Sequence, residues 1–126
     1  MAKMLGVWMN INNPNRSTHE DLNLTVGGTV LLSSSDPHGL WTIRVRVMDE
    51  DTFSDDLVFT DDSFQLGVYD VEPRFFQTGV IVPYQKLNDS EPSYEGEAEI
   101  YCRVSAKLGN KSTNWRNSQT EDVNIH

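Results

Sequence analysis

Cysteine is almost absent from this chain, with one residue, Cys102, in 126. A lone thiol closes no intramolecular disulfide and excludes zinc sites built on several thiolates, so Cys102 reads as a small buried hydrophobe. Positive charge is scarce too. Ten Lys and Arg against nineteen Asp and Glu leave a formal charge of −9, which repels phosphate backbones and anionic lipid headgroups at a distance. Nucleic acid is therefore not expected as a partner. No apolar run approaches the roughly 20 residues that cross a bilayer as a helix. No window keeps apolar side chains three and four apart for long enough to predict a helix either. The three histidines, His19, His38 and His126, fall in polar, turn-like or terminal segments. None is spaced with Cys102 or a serine motif as a nucleophile and its base would be, and no enzyme is expected. The opening stretch, MAKMLGVWMNINNP, lacks a full signal h-region and a small-residue cleavage site, so the sequence as written is expected to be non-exported.

Alternation is what the chain has in quantity. In WTIRVRV the apolar set Trp41, Ile43, Val45 and Val47 interleaves with Thr42, Arg44 and Arg46, a strand with one buried and one wet face. Further strands are expected over 5–11, 22–26, 29–33, 64–71, 75–83 and 97–106, with short pieces near Val58 and Val123. Turn-forming residues separate them: Asn12-Asn13-Pro14-Asn15, Gly27-Gly28, Ser35-Asp36-Pro37-His38-Gly39, Glu72-Pro73 and the stretch 88–96. Gly27-Gly28 suits a two-residue hairpin, since paired glycines accept the positive φ of a primed turn. Seven or eight short strands in a chain of this size predict an all-β fold, an antiparallel β-sandwich. Residues 1–126 are expected to form one domain, with 110–126 a polar, partly ordered tail.

The strand around Trp41 runs straight into Asp49, Glu50, Asp51, Asp55 and Asp56. Odd positions point inward, so Asp49 and Asp51 would be buried if the strand continued. Burying bare carboxylates costs several kcal/mol, and the strand is expected to end near Met48. The acids then share a loop at the sandwich rim, where their mutual repulsion is relieved by solvent, by nearby cations or by a bound metal. Hard oxygen donors in this number suit calcium better than magnesium. An EF-hand is excluded, because Phe53 and Ser54 break its pattern.

Following Arg44-Val45-Arg46-Val47-Met48, the segment Asp49-Glu50-Asp51-Thr52-Phe53-Ser54-Asp55-Asp56-Leu57-Val58 resembles the third calcium loop of synaptotagmin-type C-two domains. The resemblance implies Asp49, Asp51 and Asp56 as calcium ligands, with Asp55 as a substitute and Ser54 lending an oxygen. It also implies a β-sandwich that recruits membranes or partners once metal is bound. A second loop is needed to complete the coordination. Asp36, at the far end of the same strand, lies at the opposite rim, and Asp70 is preferred over Asp61 and Asp62.

Two smaller signals complete the reading. Glu99-Ile100-Tyr101-Cys102-Arg103-Val104-Ser105-Ala106 is similar to the penultimate strand of immunoglobulin domains, with Ile100, Cys102 and Val104 facing inward. Phe75-Phe76 and Trp8 suggest an exposed aromatic patch, since alternation hides only one member of a consecutive pair. The expected function is that of a non-catalytic, calcium-dependent binding module for a protein, a carbohydrate or a calcium-dependent membrane surface. The alternative is an immunoglobulin-like or capsid-like assembly domain without metal, forming a homo-oligomer.

Overall fold

The computed structural model describes residues 1–17, 19–90 and 96–124. The strands form where apolar and polar side chains alternate: β1 (Lys3–Ile11), β2 (Leu22–Leu31), β3 (Gly39–Asp49), β4 (Asp56–Val68), β5 (Arg74–Val82) and β6 (Glu97–Leu108). One short helix, α1 (Tyr84–Ser90), joins β5 to β6, and three short strands follow: β7 (Lys111–Ser112), β8 (Arg116–Asn117) and β9 (Glu121–Asn124). They make two antiparallel sheets, one ordered β1-β2-β5 and the other β4-β3-β6, with β7, β8 and β9 pairing in turn along β6. The all-β sandwich expected from the alternation is the observed fold. The chain crosses between the sheets, so that β2 and β5 are neighbours in one and β3 and β6 are neighbours in the other. Trp41 on β3 and Cys102 on β6 are both fully buried, the Cys102 Sγ lying 3.5 Å from Met9 Sδ of β1.

One core lies between the sheets, with Met4, Leu22, Leu24, Trp41, Ile43 and Ile100 among its largest fully buried members. Burial of an indole is favourable only if its N–H is satisfied, and Trp41 Nε1 donates to the Pro37 carbonyl at 3.2 Å. Leu87 of α1 is buried against the same core. The helix carries no apolar periodicity in the sequence because at seven residues it is barely two turns.

Gly27-Gly28 is not the hairpin turn expected. Both residues lie inside β2, which runs unbroken through the two segments read as separate strands, paired with β1 on one side and β5 on the other. The glycines are there because aromatic rings occupy the space of their side chains. A Cβ on Gly28 would stand 3.1 Å from the Phe76 ring on the core side, and one on Gly27 would stand 2.3 Å from the indole of Trp8 on the outer side. A bulge in β1 puts Trp8 there. Leu5 pairs with Thr29 and Trp8 with Gly27, so three steps on β1 match two on β2, and Gly6 takes the φ of 56° that such irregularities favour in glycine. Met4 and Met9 therefore both face the core, while Leu5 and Trp8 both face out.

The tail is better ordered than its composition suggests. Asn114 accepts from the Met4 amide at 3.0 Å and donates to the Met4 carbonyl at 3.2 Å. Gln119 brackets Met9 in the same way, accepting from its amide at 3.3 Å and donating to its carbonyl. Two side-chain amides thus stand in for a neighbouring strand along the edge of β1, where bare backbone groups would invite pairing with another chain. Ile125 and His126 lie outside the described residues, as does most of the loop expected at 88–96.

Candidate functional site

The β3–β4 hairpin holds the acidic loop, and the register explains how each acid is accommodated. β3 ends near Met48 as expected, but it takes in one of the acids before it does. It extends to Asp49, whose side chain is 1% exposed and points inward as the alternation requires. The carboxylate is tolerated because Oδ1 accepts from the Glu99 amide of β6 at 3.4 Å, next to the Glu50 amide's bond to the Glu99 carbonyl at 2.7 Å. Asp55 closes the loop on itself. Its Oδ1 accepts from the Asp51 amide at 3.1 Å, and its Oδ2 accepts a short bond from the Tyr101 hydroxyl on β6. The Tyr101 bond and then the Asp51 amide hold the Asp55 carboxyl below its usual range. Burial, followed by the neighbouring carboxylate, pushes the Tyr101 phenol up to about 12.

Asp51 accepts from the Thr52 amide at 2.6 Å, and Asp56 opens β4 opposite Asp49. Phe53 projects from the loop tip, 96% exposed. Asp70 does not join them. It sits in the turn after β4, where it accepts from the Glu72 amide at 3.0 Å. At about 3.3 Å per residue the thirteen residues of β4 put about 40 Å between the two rims. Asp36 lies at that far rim as expected, bound to the Ser33 amide at 2.7 Å. Asp61 caps Ser63, and Asp62 pairs with Arg46 at 2.6 Å. Among the described residues no three His, Cys, Asp or Glu side chains gather as a metal site.

Two other surfaces carry chemistry. On the outer face of the three-stranded sheet the Trp8 indole, 39% exposed, covers Gly27, and Phe75 stands 76% exposed opposite Thr29. With Gln77, Gly6 and Thr29 they line a shallow depression. Beyond Trp8 the face continues in neutral polar groups, with Asn12 bonded to Asn10 and to Thr25 at 3.0 Å. The pair Phe75-Phe76 divides as alternation requires, with Phe76 7% exposed. On the outer face of the larger sheet, Trp115 gathers the guanidinium groups of Arg44, Arg46 and Arg103, their Cζ atoms 4.7, 5.5 and 5.5 Å from its ring centre. The polar alternation of β3 showed Arg44 and Arg46 on a wet face; nothing in the sequence showed that a tail residue folds back over them.

Cys102 is buried, and burial pushes its thiol up to about 12, so it is a core side chain and not a poised nucleophile. No family model matches this chain, and no curated protein matches it.

Proposed function

We propose that the chain is a non-catalytic binding module that holds a neutral, hydroxyl-rich ligand, a carbohydrate, against the outer face of the β1-β2-β5 sheet. The observation that carries this reading is the Trp8 indole seated over Gly27 beside the exposed ring of Phe75. Ligand sites combine apolar, aromatic walls with a few polar groups that fix orientation. Here the aromatic surface offers contact to the C–H face of a sugar ring, and Asn10, Thr25, Thr29 and Gln77 offer donors and acceptors for its hydroxyls. On a protein of charge −9, the centre of this face carries no charged side chain, which favours a neutral ligand over an ionic one. The bulge at Gly6 is the device that turns Trp8 outward. Affinity electrophoresis through gels containing neutral polysaccharides tests the reading: the parent is retarded by at least one of them and Trp8→Ala is not. Equal mobility of the two proteins in every gel removes the proposal.

A second reading, a calcium-stiffened rim, is favoured by Asp51, Asp55 and Asp56 sharing one loop whose backbone is drawn together by the Asp51–Asp55 bond. It requires Asp55 to exchange the Tyr101 hydroxyl for metal, and its coordination would come from this loop without Asp70.

A further inference from the structure

We infer that the Trp115 cluster on the outer face of the larger sheet is a binding site for a doubly charged tetrahedral oxyanion, a phosphate or phosphate-ester group. Arg46 and Arg103 are direct cross-strand partners in the β3–β6 register. Like charges placed opposite each other destabilise a sheet, and this chain spends three of its ten basic residues on that one spot. Trp115 holds the three guanidinium groups in place, since a guanidinium over an indole face is attracted by the ring and keeps its N–H edges free.

Those edges are sparsely used. Arg46 is the one member with a carboxylate, Asp62 at 2.6 Å. The Nε of Arg44 donates to Ser105 Oγ at 2.9 Å, which fixes the side chain without neutralising it. Among the described residues the terminal nitrogens of Arg44 and the guanidinium donors of Arg103 have no hydrogen-bond acceptor. Asp55, the loop acid that senses the charge of Arg103, is committed to Tyr101 and the Asp51 amide. Three guanidinium charges against Asp62 and the more distant influence of Asp55 leave positive charge in excess at one place, and donors converging from three side chains match a tetrahedral oxyanion better than a single carboxylate. Forked N–H donors suit the oxygens of phosphate. The site is on the opposite side of the sandwich from the carbohydrate face and does not depend on it.

The test titrates inorganic phosphate into the full chain at fixed ionic strength and follows the Trp115 indole N–H by NMR. Saturable shifts at Trp115 are expected, although a protein of this charge repels anions in general. Arg44→Gln combined with Arg103→Gln should weaken binding at least tenfold, and Arg44→Lys, which keeps the charge and loses the fork, should weaken it less. The melting temperature of the double variant in chloride, unchanged or raised because a like-charge pair is gone, shows that it is folded. Glucose 6-phosphate and phosphatidate vesicles separate the sources, since tighter binding of either over inorganic phosphate identifies a sugar or a lipid ester, and parity identifies free phosphate. Three results overturn the inference: shifts reproduced by sodium chloride, a double variant that binds like the parent, or succinate binding as tightly as phosphate.

Discussion

Replacing Gly27 by Ala probes the seat of the indole directly. The new Cβ would stand 2.3 Å from both Cε2 and Cζ2 of Trp8 and 2.6 Å from Nε1, whereas non-bonded carbons settle at about 3.5–4.0 Å. The ring must therefore retreat by more than about 1 Å. Because Trp8 is at the surface it can swing outward without straining the core, which places the cost at about 1–2 kcal/mol, in the lower part of the range for overpacking. With Trp8 already replaced by Ala the sign reverses. Alanine is then simply a better strand residue than glycine, by about 0.5–1 kcal/mol. The coupling between the two positions is thus about 1.5–3 kcal/mol, well above the few tenths expected of independent sites. Urea denaturation of the parent, both single variants and the double variant measures it. In the melting temperature each kcal/mol appears as about 3–6 °C for a chain of this size. A Gly27→Ala cost that is the same with and without the indole would refute the claim that Trp8 rests on Gly27, and with it the shape of the proposed carbohydrate face.

The other expectations concern the rim and the edges. Asp49→Ala, which leaves the Glu99 amide without its acceptor, should cost about 1–3 kcal/mol, and Asp49→Asn clearly less; chemical denaturation decides, and equal costs would mean that the bond to Glu99 contributes nothing. Tyr101→Phe should return the Asp55 carboxyl upward toward its ordinary range in an NMR titration, because the bond that lowers it is lost. The pH dependence has two opposite arms. The Asp55 contribution is present above the ordinary carboxylate range and is lost as pH falls through its depressed value. The Tyr101 contribution, with the phenol raised from 10.0 to about 12, is complete below pH 10 and lost as pH climbs toward 12. Stability of the parent but not of Tyr101→Phe should therefore decline across that alkaline window. If the rim takes calcium, millimolar calcium raises the melting temperature and Asp51→Asn with Asp56→Asn abolishes the rise; a parent that responds no more to calcium than to magnesium ends the second reading. Asn114→Ala with Gln119→Ala should both lower stability and promote self-association through the uncovered β1 edge, seen by light scattering, and a monomer that is merely less stable would contradict the edge-covering role.

The outline of the fold was legible wherever burial alternates along one strand. In β3, Trp41, Ile43, Val45 and Val47 are buried and the residues between them are not, as the pattern alone requires. What stayed hidden depends on partners remote in sequence. Gly27-Gly28 carries the chemistry of a turn, and only the arrival of Trp8 from one side and Phe76 from the other makes it a strand interior. The desolvation argument kept Asp49 out of the interior because it gave the carboxylate no donor, and the donor is the Glu99 amide of a strand laid down much later in the chain. Asp70 looked eligible for the rim until pairing turned β4 into one long strand that carries it to the far end. Asn114 and Gln119 have no periodicity to read, because they match the groups of a single residue each and not a repeating face. Trp115 likewise belongs to a polar tail by composition and to an arginine cluster by folding.

Inside and outside are a parity label along any pleated strand, and the glycine at position 6 is where β1 flips that label. Removing its single codon would straighten the strand yet leave Met4 and Met9 inside and Leu5 and Trp8 outside, because the irregularity absorbs one residue; keeping all the residues and ironing the irregularity flat is what would drive the indole into the interior and a methionine sulfur into water. The aromatic platform on this sheet therefore depends on the extra residue being taken up as a kink at one point, and the positive φ of Gly6 is what makes that point available.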